Sequence, residues 1–266
     1  MNKQIPIAVF KNIIVDRSGS MYTMKGQQIK MTRKILCDNT KCDNKDNTFI
    51  SLTTFDDYVY YPIINSKILK TDDVPTISTL KNYMLPRGST RFNDTLIEEL
   101  DKLIKYKNDY YDKLHRKVKN LEPQIKMIAI FITDGHDNMS SSTVEECCDK
   151  VAEFKNLNGD VIFMSANMNA EEIGQKYGID RDTCLTVHSS DTNAIQSGFN
   201  AIDNLQRSLS AGITNASFSQ FDRTSSQGFV QTHNSTPNTL PQLQRATNVV
   251  NTLPTLDINA NESQFY

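Results

Sequence analysis

The sequence predicts an α/β protein of the doubly wound class: a mostly parallel, six-stranded sheet with one antiparallel edge strand and helices on both faces. Three observations carry this expectation. Apolar runs too continuous for half-exposed strands recur along the chain, helical stripes alternate with them, and two of the longest runs end abruptly in a carboxylate, at Asp16 and Asp134.

Taken in order, Ile5 to Val15 contains the first strand, with Ala8, Val9, Ile13, Ile14 and Val15 marking it as central and buried on both sides. Met24, Met31 and Ile35 then recur at helical spacing. Thr48 to Phe55 is β-branched and aromatic, a second strand. Asp56-Asp57 turns it into Tyr58 to Ile63, an antiparallel edge on which Pro62 is tolerated. The connection 64–84 is short and ill-defined, with one helical turn near Ile77 to Tyr83. Leu96, Leu100 and Leu103 open a helical stripe that continues to Leu121, as one helix or as two broken near Asn108-Asp109, and Pro123 ends it. Gln124 to Thr133 is the most apolar strand. Val144 to Phe154 gives a helix that Gly159 closes as a C-terminal glycine. Val161 to Met164 is a strand, Ala170 to Tyr177 a short helix, Cys184 to Val187 the last strand, and Ile195 to Leu209 the last amphipathic helix.

From Ile213 the composition changes. Of the last 54 residues 27 are Ser, Thr, Asn or Gln and none is Lys, too little apolar surface to offset ordering entropy. The expected organisation is therefore one domain over 1–212 and a disordered tail over 213–266, in which Phe218, Phe221, Phe229 and Phe265 are scattered.

Charge and cysteine content narrow the function. Lys plus Arg number 29 against 31 Asp plus Glu, net charge −2, which lacks the basic footprint of nucleic-acid binding. Five cysteines, odd in number and without zinc spacing, read as reduced thiols of an intracellular protein. No signal-peptide core forms, and no window approaches the ~18 apolar residues of a membrane span, so the expected location is the cytoplasm.

The chemistry concentrates in Asp16-Arg17-Ser18-Gly19-Ser20. Oxygen-bearing side chains at alternate positions of a tight loop suit a hard divalent cation, and they equally suit helix N-caps. Ligands in an open α/β sheet bind outside the carboxyl ends of the strands, where Asp134 also lies, and Gly88-Ser89-Thr90 offers a further hydroxyl at a helix start.

Asp16-x-Ser18-x-Ser20, then Thr90, then Asp134-Gly135 resembles the metal-ion-dependent adhesion site of the von Willebrand factor A domain family. Gly-Ser-Thr with Asp94 four residues on, and Phe163-Met164-Ser165-Ala166-Asn167, resemble the small intracellular A-domain proteins of bacteria and their viruses. The resemblance spans about residues 5 to 210. It implies Mg2+ or Mn2+ held by Asp16, Ser18, Ser20, Thr90 and Asp134, with Asp94 placed to orient a metal-bound water. It also implies a non-catalytic role: binding a protein partner that presents Glu or Asp, an ATPase or modification-system component among the candidates, without nucleic acid or membrane. Arg17 is expected to point outward, His136 and Asp137 to line the rim or be solvated, and Met21 and Tyr22 to pack. A phosphohydrolase of the haloacid dehalogenase kind also places an Asp after its first strand, but needs a second carboxylate where this chain has Ser18. There is no phosphate loop or nucleophile elbow. A metal-independent scaffold is the other alternative.

Overall fold

In this computed structural model, which describes residues 8–116 and 124–228, the sheet grows outward from a strand with no exposed residue. That strand, β1 (Ala8–Asp16), is flanked on both sides by parallel neighbours, β2 (Thr48–Phe55) and β4 (Ile125–Thr133), with Ile14 opposite Thr53 and Phe131. The parallel set continues through β5 (Gly159–Ala166) to β6 (Cys184–Val187), while β3 (Val59–Ser66) runs antiparallel to β2. The order is β3-β2-β1-β4-β5-β6, the expected six strands with one antiparallel edge.

Side-chain alternation sorts the core into two layers. Val9, Ile13 and Val15 of β1, with Ile128, Ile130 and Ile132 of β4, face α1 (Gln27–Asn39), α2 (Ile77–Met84) and α6 (Thr192–Ser210). Phe10 and Ile14, with Met127, Ala129 and Phe131, face α3 (Phe92–His115), α4 (Val144–Asn156) and α5 (Ala170–Lys176). Phe92 centres the second layer, edge-on to Phe131, Phe163 and Tyr177 at 5.1–5.9 Å, the geometry aromatic quadrupoles favour.

The β3 edge is blunted. Pro62 lacks a donor, Asn65 sits at φ 41°, and the β2/β3 register shifts twice, features that discourage edge-to-edge pairing.

One open alternative is decided and several expectations need correction. Helix α3 runs unbroken through Asn108-Asp109, because Lys105 reaches Asp109 one turn on (2.6 Å) and two exposed residues of modest propensity do not outweigh a buried stripe. The stop at Pro123 lies outside the described residues. Gly159 begins β5; the left-handed residue after α4 is Asn158, at φ 69°. Glycine is needed at 159 for another reason, since a Cβ there would lie 2.3 Å from the Phe154 ring. The segment read as a tail from 213 contains α7 (Gln220–Ser226), capped by Ser219 and packed on β6 and α6. Phe218 enters the first core layer, and Arg223 donates to the Cys184 carbonyl (2.9 Å) and pairs with Glu171. Residues 229–266 lie outside the described part.

Candidate metal centre

The site is assembled where β1 and β4 end side by side. Asp16 is the last residue of β1 and Thr133 the last of β4; pairing Val15 with Ile132 brings the next two residues abreast. The Thr133 hydroxyl donates to Asp16 Oδ2 at 2.6 Å, and the Ser18 N–H donates to Oδ1 at 2.6 Å. Both carboxylate oxygens of a completely buried Asp16 are thereby held. Burial still dominates: it pushes the Asp16 carboxyl up to about 6, against the two hydrogen bonds, with the nearby Asp134 charge adding to the rise. Asp134 is likewise raised by burial, with Ser20 and Thr23 opposing.

Between these carboxylates stand the hydroxyls. Ser18 Oγ lies 3.0 Å from Ser20 Oγ, and Ser20 Oγ donates to Asp134 Oδ1 at 2.7 Å. Thr90 approaches from a third loop. The position that a Cβ on Gly135 would occupy is 3.0 Å from Thr90 Oγ1, 3.3 Å from Ser20 Oγ and 3.8 Å from Asp16 Oδ2. Gly135 thus keeps open a space onto which three of the five predicted residues turn oxygen. All five residues are brought together.

The capping alternative is answered by the same atoms. Ser18 stands at the N-cap of the 3-10 turn Gly19–Met24, yet makes no side-chain cap hydrogen bond; α1 is preceded by Gly26 and α3 by Arg91, neither of them a side-chain cap. The Ser18 and Ser20 hydroxyls face each other instead of backbone N–H groups.

Three loops are tied into one frame. The Gly19 N–H donates to the Gly88 carbonyl (3.1 Å), the Arg87 N–H to the Arg17 carbonyl (2.7 Å) and the Asn138 N–H to the Thr90 carbonyl (3.1 Å), while Asn138 Oδ1 accepts from the Thr90 N–H (2.9 Å). Gly135, already part of the sequence motif, acts as a spacer, while Thr133, Thr23 and Asn138 are contributors to which the sequence assigned no role. Of these only Thr133 carried a signal: it directly precedes Asp134 and lies abreast of Asp16.

Some neighbouring residues depart from expectation and others meet it. Arg17 does not point outward; it is 5% exposed, with Nε 3.2 Å from the buried Asp56 and its guanidinium over the Tyr60 ring. Asp94 is not free to orient water, because it accepts from the Ser141 and Ser142 N–H groups (3.1 and 2.8 Å) and pairs with Arg91 (3.0 Å). Those contacts hold its carboxyl below its usual range despite burial. Asp137 closes a turn by accepting from Met139 and Ser140, and His136 is solvent-exposed. Met21 packs as expected, whereas Tyr22 is 78% exposed.

Five oxygen-bearing side chains, two of them carboxylates, suit a hard divalent cation. Two ligands at the ~2.1 Å distance of an octahedral Mg2+ lie about 3 Å apart, the spacing of the Ser18 and Ser20 hydroxyls. Among the described residues no three His, Cys, Asp or Glu side chains form a metal cluster, so a metal here would depend on the hydroxyls.

No protein-family model and no curated protein matches the chain. Solved structures do. The pilus adhesin SpaC of Lactobacillus rhamnosus GG aligns at TM-score 0.54 and 15% identity over 79% of this chain and 30% of its own. The PilB minor pilin of Streptococcus sanguinis, as a mutant, aligns at 0.52 and 13% over 79% and 64%. Proximal thread matrix protein 1 of the mussel byssus aligns at 0.51 and 13% over 80% and 49%. The chain thus spans less than two thirds of each of these proteins. At such identities the likeness is one of architecture, and with the strand order above it gives the chain a von Willebrand factor A-like fold.

Proposed function

We propose that this chain is a divalent-metal-dependent protein-binding module that captures a Glu or Asp side chain of a partner at Asp16, Ser18, Ser20, Thr90 and Asp134. The observation that carries the reading is the gathering of three neutral hydroxyls and two carboxylates at one place, with Thr90, Ser20 and Asp16 bordering the space beside Gly135 and Ser18 and Asp134 joined to them through Ser20, and with none of the hydroxyls engaged in helix capping. A bound Mg2+ or Mn2+ would supply an under-neutralised coordination position that an anionic oxygen can fill. The protein's part is orientation: Thr133 and the Ser18 N–H fix Asp16, and Ser20 fixes Asp134.

Binding is favoured over catalysis by the carboxylates themselves. A phosphohydrolase nucleophile must reach its substrate, whereas Asp16 is fully buried with both oxygens already accepting hydrogen bonds. All five cysteines are free thiols, which supports a reducing compartment and, with it, an intracellular adaptor beside an ATPase or a modification system. No described helix is long and apolar enough to cross a membrane.

Calorimetry with Mg2+ and Mn2+ tests the metal: binding heat is expected from the wild type and not from Asp16→Ala, and equal heats from both would refute the site. Affinity capture from the source cell tests the bridge, since a partner retained equally in chelator is not held through metal.

A further inference from the structure

We infer that the candidate site is the centre of an apolar docking collar whose occupant is a partner segment carrying one carboxylate between bulky apolar residues. This rests on the metal-bridged reading above and names the partner's chemistry. Ten large hydrophobic side chains are exposed among the described residues, and four of them, Tyr22, Tyr58, Leu85 and Met139, sit on four loops at the carboxyl end of the sheet. Each is 53–78% exposed.

The loop hydrogen bonds tie their four loops into one frame. Tyr22 adjoins Thr23, whose hydroxyl donates to Asp134 (3.3 Å). Met139 follows Asn138, which clasps Thr90 through both its N–H and its side chain. Leu85 lies two residues before Arg87, which is bonded to the Arg17 carbonyl. Tyr58 follows Asp57, whose carboxylate accepts from the Ser89 N–H (2.6 Å). An exposed aromatic or thioether side chain on any single loop is ordinary; one on each loop of a shared frame gathers apolar surface at one end of the sheet, as interaction surfaces do.

Charge decides the occupant. The ionic groups beside the collar sum to zero: Arg17, Arg87 and the exposed Lys25 stand against Asp56, Asp57 and Asp137, with both arginines on Asp56 (3.2 and 2.7 Å). Asp137 is engaged in its own turn. The rim therefore offers apolar contact without net charge, and the demand for an anion is confined to the centre. A rim of this kind excludes water and strengthens the central ionic contact by lowering the local dielectric. A highly acidic segment would leave its flanking charges desolvated against apolar side chains.

The test uses the full chain and immobilised short synthetic peptides with a central Asp or Glu and randomised flanks, with Mg2+ or chelator. The expected result is Mg2+-dependent selection of peptides with aromatic or aliphatic flanks. Affinity should fall about tenfold or more in the triple variant Tyr22→Ala, Leu85→Ala, Met139→Ala. That variant should keep the wild-type Mg2+ heat, and Phe221→Ala, an exposed aromatic on α7, should keep wild-type peptide affinity. Acidic peptides selected without flank preference, or affinity unchanged in the triple variant, would overturn the collar while leaving the metal bridge standing. Apolar peptides bound equally in chelator would instead overturn the metal bridge. Mg2+-dependent dimers of the chain that the triple variant abolishes would reassign the surface to self-association.

Discussion

Two carboxyls raised by burial weigh against stability at the candidate site, the half-buried Asp134 and the more deeply buried Asp16. Asp16 has its carboxyl raised from the ordinary 3.8 to about 6 by burial. In the metal-free protein the folded state therefore holds that proton at pH values where the unfolded chain has lost it. The residue's contribution makes stability fall as pH rises from about 4 to about 6, and at neutral pH it costs about 3 kcal/mol. We predict that Asp16→Asn is more stable than the wild type by about 1–3 kcal/mol in chelator at pH 7, and that Mg2+ adds nothing to it. Urea titrations with and without Mg2+ check this, and a variant no more stable than the wild type in chelator contradicts it. Thr133 is the positioning partner. Replacing it with valine keeps its shape and removes the 2.6 Å hydrogen bond to Asp16. About tenfold weaker Mg2+ binding is expected, in line with other groups that orient metal ligands; unchanged affinity in calorimetry would mean that Thr133 does not position Asp16.

At the scale of elements, α7 and the segment leading into it show where composition misleads. The stretch 213–228 is rich in Ser, Thr, Asn and Gln, yet a few specific contacts anchor it: Phe218 in the core, the Phe218 N–H on the Asp182 carbonyl (2.9 Å), and Ser226 Oγ on the Thr186 carbonyl (2.7 Å). A compositional average cannot register one buried ring. Phe218→Ala should therefore cost about 3 kcal/mol of unfolding free energy, as for core aromatics; a loss within ~0.5 kcal/mol in urea melts would return this segment to the tail. The six strands were legible because two-sided burial leaves continuous apolar runs, as in Ile125 to Thr133, and because Asp56-Asp57 marks the one hairpin. The roles of Gly159 and Asn158 were not legible: Asn158 takes the left-handed turn, and Gly159 is required where a Cβ would meet the ring of Phe154, a contact that spacing does not encode. The five candidate site residues were readable as types at spacing. The inward course of Arg17 was not, since it depends on a carboxylate at Asp56 and a ring at Tyr60 from the neighbouring hairpin.

Among the described residues, polar chemistry is buried in the sheet at the candidate site, at Asn12 and Thr53, which donate to Glu99, and at Lys11 on the face of β1 covered by α1 and α6. Its ammonium donates to Asn39 Oδ1 (2.8 Å) and to Gln206, joining the two helices through the sheet. Burial lowers Lys11 from 10.5 to about 8, with Asp203 and Cys42 opposing and Arg207 assisting. The sign is opposite to that of a salt-bridged lysine. Between pH 8 and 10.5 the unfolded chain holds the proton that the folded chain has released, so this group makes stability rise with pH across that window. Below it the buried charge costs about 3 kcal/mol. Other buried groups pull the opposite way: Cys147, Cys184 and Tyr177 are each pushed up to about 12, so the folded state keeps their protons longer and their contributions fall as pH climbs. The raw stability profile therefore mixes both signs, and the informative quantity is the difference between wild type and Lys11→Met, which removes the charge at similar volume and leaves the thiols and phenol in place. We predict that the variant exceeds the wild type near pH 7, by about 1–3 kcal/mol once the acceptors of Asn39 and Gln206 lose their donor, and that its advantage shrinks steadily from pH 8 to 10.5. Guanidinium melts at several pH values in that range measure it, and a difference that stays constant with pH would show that Lys11 titrates alike in the folded and unfolded chains.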